Sequence, residues 1–100
     1  MEVLTKGTTP TITYVFQVVQ VTDIAKAILT IKSETGLIQK TLADAEVGEH
    51  SLMWTLTQED TLALQDNASI MLNYVTRDGI RGASDESNVM IKNNHINEVI

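Results

Sequence analysis

Two histidines, thirteen carboxylates and five serines are the side chains from which this 100-residue chain would have to build any catalysis or metal binding. His50 stands in an acidic stretch and His95 near the last residues. Neither has a second His or a Cys at ligand spacing, and the chain has no Cys, so zinc, which takes nitrogen and sulfur donors, finds no set here. Asp44, Glu46 and Glu49 offer the oxygen donors that calcium prefers, but without the Asp-x-Asp-x-Asp-Gly spacing of specific calcium loops. The stretch Asp44 to Glu49 reads as a solvated loop, with weak calcium binding as the other reading. Ser33, Ser51, Ser69, Ser84 and Ser87 lack the Gly-x-Ser-x-Gly elbow that exposes a nucleophile. The five glycines stand at turns and not in a phosphate-cradling loop. Asn67-Ala68-Ser69 matches the glycosylation pattern, which has no consequence without export. No catalytic, cofactor-binding or metal residue is assigned; the chain is expected to be no enzyme and to need no cofactor.

Carbohydrate binding would need exposed rings on which sugars stack. The chain has four aromatic residues, Tyr14, Phe16, Trp54 and Tyr74, each on the apolar parity of its own segment. All four are therefore expected in the core. Met53, Met71 and Met90 take the opposite parity, which would give an outer face a mildly apolar character suited to another protein.

These residues must be positioned by strands. Thirty-two of the hundred residues are Val, Ile or Thr, whose branched side chains are stiff and pack well on a pleated surface. A hydrophobic share of 43% with 20% charged residues belongs to a folded globular chain, and the length fits one domain. The formal charge is −6, and its seven cations are scattered apart from Arg77 and Arg81 in one presumptive hairpin. A nucleic-acid partner, which needs a basic footprint, and an anionic membrane are both excluded from the expected partners. No apolar run approaches the ~18 residues of a membrane helix. The first residues, Met1 to Gly7, show no basic region followed by an apolar stretch, so no secretory signal is expected.

Period-2 alternation marks the strands. Ile12, Tyr14 and Phe16 alternate with Thr11, Thr13 and Val15, after the single Pro10. Thr22-Asp23-Ile24 reads as a turn with Thr or Asp as cap. Ala27, Leu29 and Ile31 share a side of a second strand, Ser33 to Gly36 turns the chain, and Leu37 to Leu42 returns. Leu52, Trp54 and Leu56 mark the clearest strand, and it stops where Thr57 can cap a helical turn and Asp60 can reach back. That turn would cross from one sheet to the other. Ile70, Leu72 and Tyr74 follow, then an Asp78-Gly79 hairpin. The last strand is interrupted by Ser84 to Asn88 and resumes at Val89 and Ile91. The expected architecture is an all-β, antiparallel β-sandwich of six or seven strands over residues 1–92, with one short helical turn near residues 58–62. Residues 93–100 form a tail, either loose or a docking peptide for a partner.

The order of motifs carries a resemblance. Lys6-Gly7-Thr8-Thr9-Pro10-Thr11-Ile12 is followed by Val21-Thr22-Asp23-Ile24, by Ala27 to Lys32 and by Leu52-Met53-Trp54-Thr55-Leu56-Thr57-Gln58-Glu59-Asp60-Thr61-Leu62. Asp78-Gly79-Ile80-Arg81-Gly82-Ala83-Ser84 and Glu98-Val99-Ile100 close the series. Over nearly its whole length the chain resembles short prophage proteins of the tail and baseplate region. More distantly, it is similar to the immunoglobulin-like N-terminal domain of siphophage upper-baseplate proteins. The resemblance implies an immunoglobulin-like fold and a virion structural part that contacts other phage tail or baseplate proteins, with a homo-oligomer as one form of that assembly. It implies a place in the host cytoplasm before assembly and in the virion afterwards. No functional residue is carried over, because the shared Gly7, Pro10, Trp54, Asp78 and Gly79 read as determinants of turns and core. The alternative, a ligand-binding or adhesion module at a cell surface, would call for an export signal and a polar or aromatic pocket.

Overall fold

Alternation decides which side each strand buries, and the partners then follow from apolar rows that must meet. The computed structural model describes residues 2–100. Among them the strands are β1 (Glu2–Thr5), β2 (Thr11–Val15), β3 (Ile24–Ser33), β4 (Leu37–Thr41), β5 (Glu46–Val47), β6 (Ser51–Thr55), β7 (Asn67–Thr76), β8 (Arg81–Ala83) and β9 (Ser87–Lys92). One short helix, α1 (Gln58–Leu62), separates β6 from β7. The larger sheet runs β1-β9-β7-β3-β4, with β8 also on β7; the smaller runs β2-β6-β5. This is an all-β sandwich, in which β9, β7 and β3 form the centre of one sheet and β2, β6 and β5 face it.

The rows expected to point inward do so. Ala27, Leu29 and Ile31 of β3, Leu52 and Trp54 of β6, and Ile70 and Leu72 of β7 are buried, joined by Leu56, Leu64, Val89 and Ile91. Trp54 spans the layers: its indole N–H donates to the Thr41 carbonyl at the end of β4, 2.9 Å away. The other three rings are a correction. Tyr14, Phe16 and Tyr74 lie half-buried at the rim of the core. Tyr14 stands edge-on to Trp54 with centroids 6.4 Å apart, and Phe16 edge-on to Tyr74 at 5.5 Å.

The helical turn forms as its residues dictate. Thr57 Oγ1 accepts from the Asp60 N–H at 3.1 Å, and Asp60 Oδ2 accepts from the Thr57 N–H at 2.9 Å, a reciprocal capping box. The turn carries the chain from the smaller sheet to the larger one. Asp60 also meets the Lys40 ammonium of β4 at 3.0 Å, and the buried Thr61 hydroxyl donates to the Thr8 carbonyl at 2.8 Å. Helix, edge strand and entry to β2 are thereby joined by groups that alternation does not reveal.

Other elements depart from expectation. β1 precedes the first expected strand and pairs in parallel with β9, Val3 opposite Met90 and Leu4 opposite Ile91. Parallel neighbours are remote in sequence, and four residues carry too little alternation to announce a strand. The 3-10 turn at Val21–Asp23 is preceded by Gln20 as its N-cap, without a side-chain hydrogen bond, so neither Thr22 nor Asp23 caps it. Leu42 belongs to a second 3-10 turn and not to β4, and the acidic loop holds the two-residue β5. The interruption before Val89 is a bulge: Asn73 faces Ala83 and Ile70 faces Ser87, so β7 holds one residue fewer than its neighbour between them. Ser84 stitches it, its N–H donating to the Leu72 carbonyl at 2.8 Å and its Oγ accepting from the Leu72 N–H at 2.9 Å. The tail is tied back. Asn94 donates to the Lys6 carbonyl at 2.9 Å, and the Gln58 amide grips both the N–H and the carbonyl of Ile100, at 2.9 and 3.2 Å.

Candidate interaction surface

The side chains with chemical potential stay apart. The His50 carbonyl accepts from the Phe16 N–H at 2.7 Å, while its exposed ring lies 3.7 Å from the exposed Glu49 carboxylate. His95 is exposed in the tail. Asp44 is engaged locally: its Oδ2 accepts from the Thr41 N–H at 2.9 Å and from the Thr41 hydroxyl at 3.2 Å. Those two donors, the amide first, with the Lys40 charge in support, hold its carboxyl below the ordinary value despite an opposing desolvation effect. Among the described residues no three His, Asp or Glu side chains gather as metal ligands would, and no helix is long and apolar enough to cross a membrane. Asn67 and Ser69 sit inside β7, paired to β9 on one side, and Ser69 also to β3 on the other.

What the fold does create is a surface. With Ala27, Leu29 and Ile31 turned inward, Lys26, Ile28, Thr30 and Lys32 of β3 must face out. Their outward neighbours are Met71, Asn73 and Val75 of β7, Asn88, Met90 and Lys92 of β9, and Arg81 of β8. Val3 on β1 and Leu37 on β4 extend the face to both edges. Val3, Ile28, Leu37 and Met90 are exposed large apolar side chains. The methionines therefore divide: Met71 and Met90 share this face, whereas Met53 lies on the smaller sheet, opposite Thr13 and Glu46.

The charge pattern of this face is the feature that a linear reading overlooks. Four of the seven cations, Lys26, Lys32, Arg81 and Lys92, occupy its outward strand positions, and no Asp or Glu does so among the described residues. Three cations then face thirteen carboxylates over the rest of the chain. At one end Glu34 and Glu86 share a depression with Lys32. At the other, Lys26 and Arg81 flank a shallow depression of about 340 Å³ whose outward apolar side chains are Ile28 and Val75, with no carboxylate in its lining. Arg81 is oriented there by a 3.3 Å hydrogen bond to the Asn73 side chain. The signal was present in β3, where both lysines share the parity of Ile28, but Arg81 and Lys92 join them only through sheet order.

The outer strands add backbone capacity. Among the described residues β2 pairs with β6 alone, β5 with β6 alone, β4 with β3 alone and β1 with β9 alone, so each has one side that is not paired to a strand. An apolar, cationic face bounded by open edges can hold another protein by burial, charge and strand addition. Comparison with known proteins finds no family model that matches this chain, no similar curated protein and no similar solved structure.

Proposed function

We propose that this chain is a non-catalytic structural component of a phage or prophage tail or baseplate, acting through contacts with other tail or baseplate proteins. The observation that carries the reading is the outward face of the larger sheet, where Val3, Ile28, Leu37 and Met90 are exposed among four cations. Scattered exposed apolar residues are ordinary, but a sheet face with such residues and one sign of charge suits a protein partner. The motif order from Lys6 to Ile100 supplies the phage context, and the resemblance implies a β-sandwich of the kind this two-sheet fold has. On this reading the chain waits in the host cytoplasm and then enters the virion. Repeated identical contacts in a symmetric assembly let a modest interface hold firmly.

The test is to induce the prophage, purify particles and probe them with an antibody to this chain. The expected result is the chain in intact particles, with gold label at the tail end. Particles free of the chain, or label on the host cell surface instead, would favour an adhesion module and end the proposal.

A further inference from the structure

The depression between Lys26 and Arg81 has an apolar floor and two cations, and the same molecule carries its complement elsewhere. β5 is an edge strand of the smaller sheet and presents Glu46 and Val47, with Glu49 just beyond Gly48. Val47 is exposed, and so are the side chains of Glu46 and Glu49. No cation lies within Asp44 to Glu49, and the nearest sequence neighbour with charge to spare, Lys40, is engaged by Asp60. Exposed Val47 at this edge, with the Glu46 and Glu49 carboxylates along the same short segment, offers an apolar side chain and negative charge to the outward Ile28 and Val75 between Lys26 and Arg81. The tail offers a second acidic and apolar sequence, Glu98-Val99-Ile100, but Ile100 already gives both its peptide groups to Gln58.

We propose that the outward face of the larger sheet, at the depression between Lys26 and Arg81, docks the Glu46–Glu49 edge of a second copy of this chain. The two surfaces are different patches, so the contact is heterologous. Every copy that docks by its edge still offers a face, and association continues until a ring closes or a filament grows. The inference rests on surface chemistry and goes beyond the virion reading; either can fail without the other.

Sedimentation velocity of the purified chain over a range of concentrations tests it. Raising salt from about 0.1 M to about 1 M shortens the screening length from ~10 Å to ~3 Å, so the association should weaken about tenfold or more. Two single variants separate the surfaces. Ile28→Lys adds a charge to the apolar floor, and Val47→Lys adds one to the edge; both positions are exposed, so folding is retained and circular dichroism verifies it. Each variant alone should stay monomeric. Their equimolar mixture should form a complex that stops at two chains, because one intact face meets one intact edge and the leftover surfaces each carry an added lysine. A wild-type chain that stays monomeric at every concentration overturns the proposal. So does association that ignores salt, that persists in either variant, or that fails to return in the mixture.

Discussion

The phenol ring of Tyr74 occupies the space that a side chain at Gly82 would need: a Cβ at that position would fall inside van der Waals contact of the ring Cζ and hydroxyl oxygen. The two residues face each other across the β7–β8 pair, and Phe16 packs edge-on against the ring with centroids 5.5 Å apart. Gly82→Ala must therefore displace a ring that also packs edge-on against Phe16. Overpacking of this kind costs about 1–3 kcal/mol, which for a domain of this size lowers the melting temperature by roughly 4–8 °C per kcal/mol. Calorimetry should show the drop, and a Gly82→Ala, Tyr74→Leu double variant should recover part of it. Gly79→Ala meets no neighbouring atom but a backbone φ of +88°, so its cost should come from the turn and remain when Tyr74 is shortened.

Trp54 joins the two layers by volume and by one directed bond, and the two can be separated. Trp54→Ala leaves a cavity under both sheets and should cost ~3–5 kcal/mol, enough to unfold most of a domain this small. Trp54→Phe keeps much of the apolar contact but leaves the Thr41 carbonyl without its indole donor. Its loss should be smaller, about 1–3 kcal/mol. Urea denaturation followed by circular dichroism would rank the two; equal losses would deny the indole hydrogen bond any part.

Acid should weaken the link between α1 and β4. Burial by itself raises the Asp60 pKa, but the Thr57 N–H, the Lys40 ammonium and the Thr57 hydroxyl outweigh it and hold the carboxyl below its ordinary value of 3.8. A carboxyl whose folded pKa is depressed binds fewer protons when folded than when unfolded. Its stabilisation is complete above the unfolded value, near pH 4, and disappears as pH falls through the lower folded value. Thermal melts should be level near neutrality and decline from about pH 4 downward. Asp60→Asn should lower stability at neutral pH and flatten the acid decline, so that the two curves converge at the lowest pH; parallel curves would mean that Asp60 is not the group responsible. Asp44 contributes in the same direction through Thr41.

The tail can be released by one atom. Gln58 Nε2 donates to the Ile100 carbonyl while Gln58 Oε1 accepts from the Ile100 N–H. Gln58→Glu retains the acceptor and removes the donor, placing a carboxylate against the carbonyl. Amide exchange at residues 96–100 should quicken while β3 and β7 exchange as before, since local opening need not involve the core. Unchanged exchange in the tail would show that these bonds do not restrain it.

The sequence by itself determined the sides. Ala27, Leu29 and Ile31, or Leu52, Trp54 and Leu56, could lie on no strand without sharing a face, because successive side chains point opposite ways, and a core needs those faces together. It also determined the corner after β6, since Thr57 and Asp60 sit three residues apart and satisfy each other's backbone locally. Tertiary structure alone decided what depends on neighbours distant along the chain. β1 exists because β9 pairs with it, the tail is held because Gln58 lies near Ile100, and three rings stay at the rim because Trp54 fills the centre. The cationic face has the same origin. Lys26 and Lys32 share a strand side in any register, but Arg81 and Lys92 join them only when β8 and β9 line up along one edge of β7. Local periodicity fixes orientation within a strand, whereas adjacency between strands is settled by long-range pairing, and a surface is a property of adjacency.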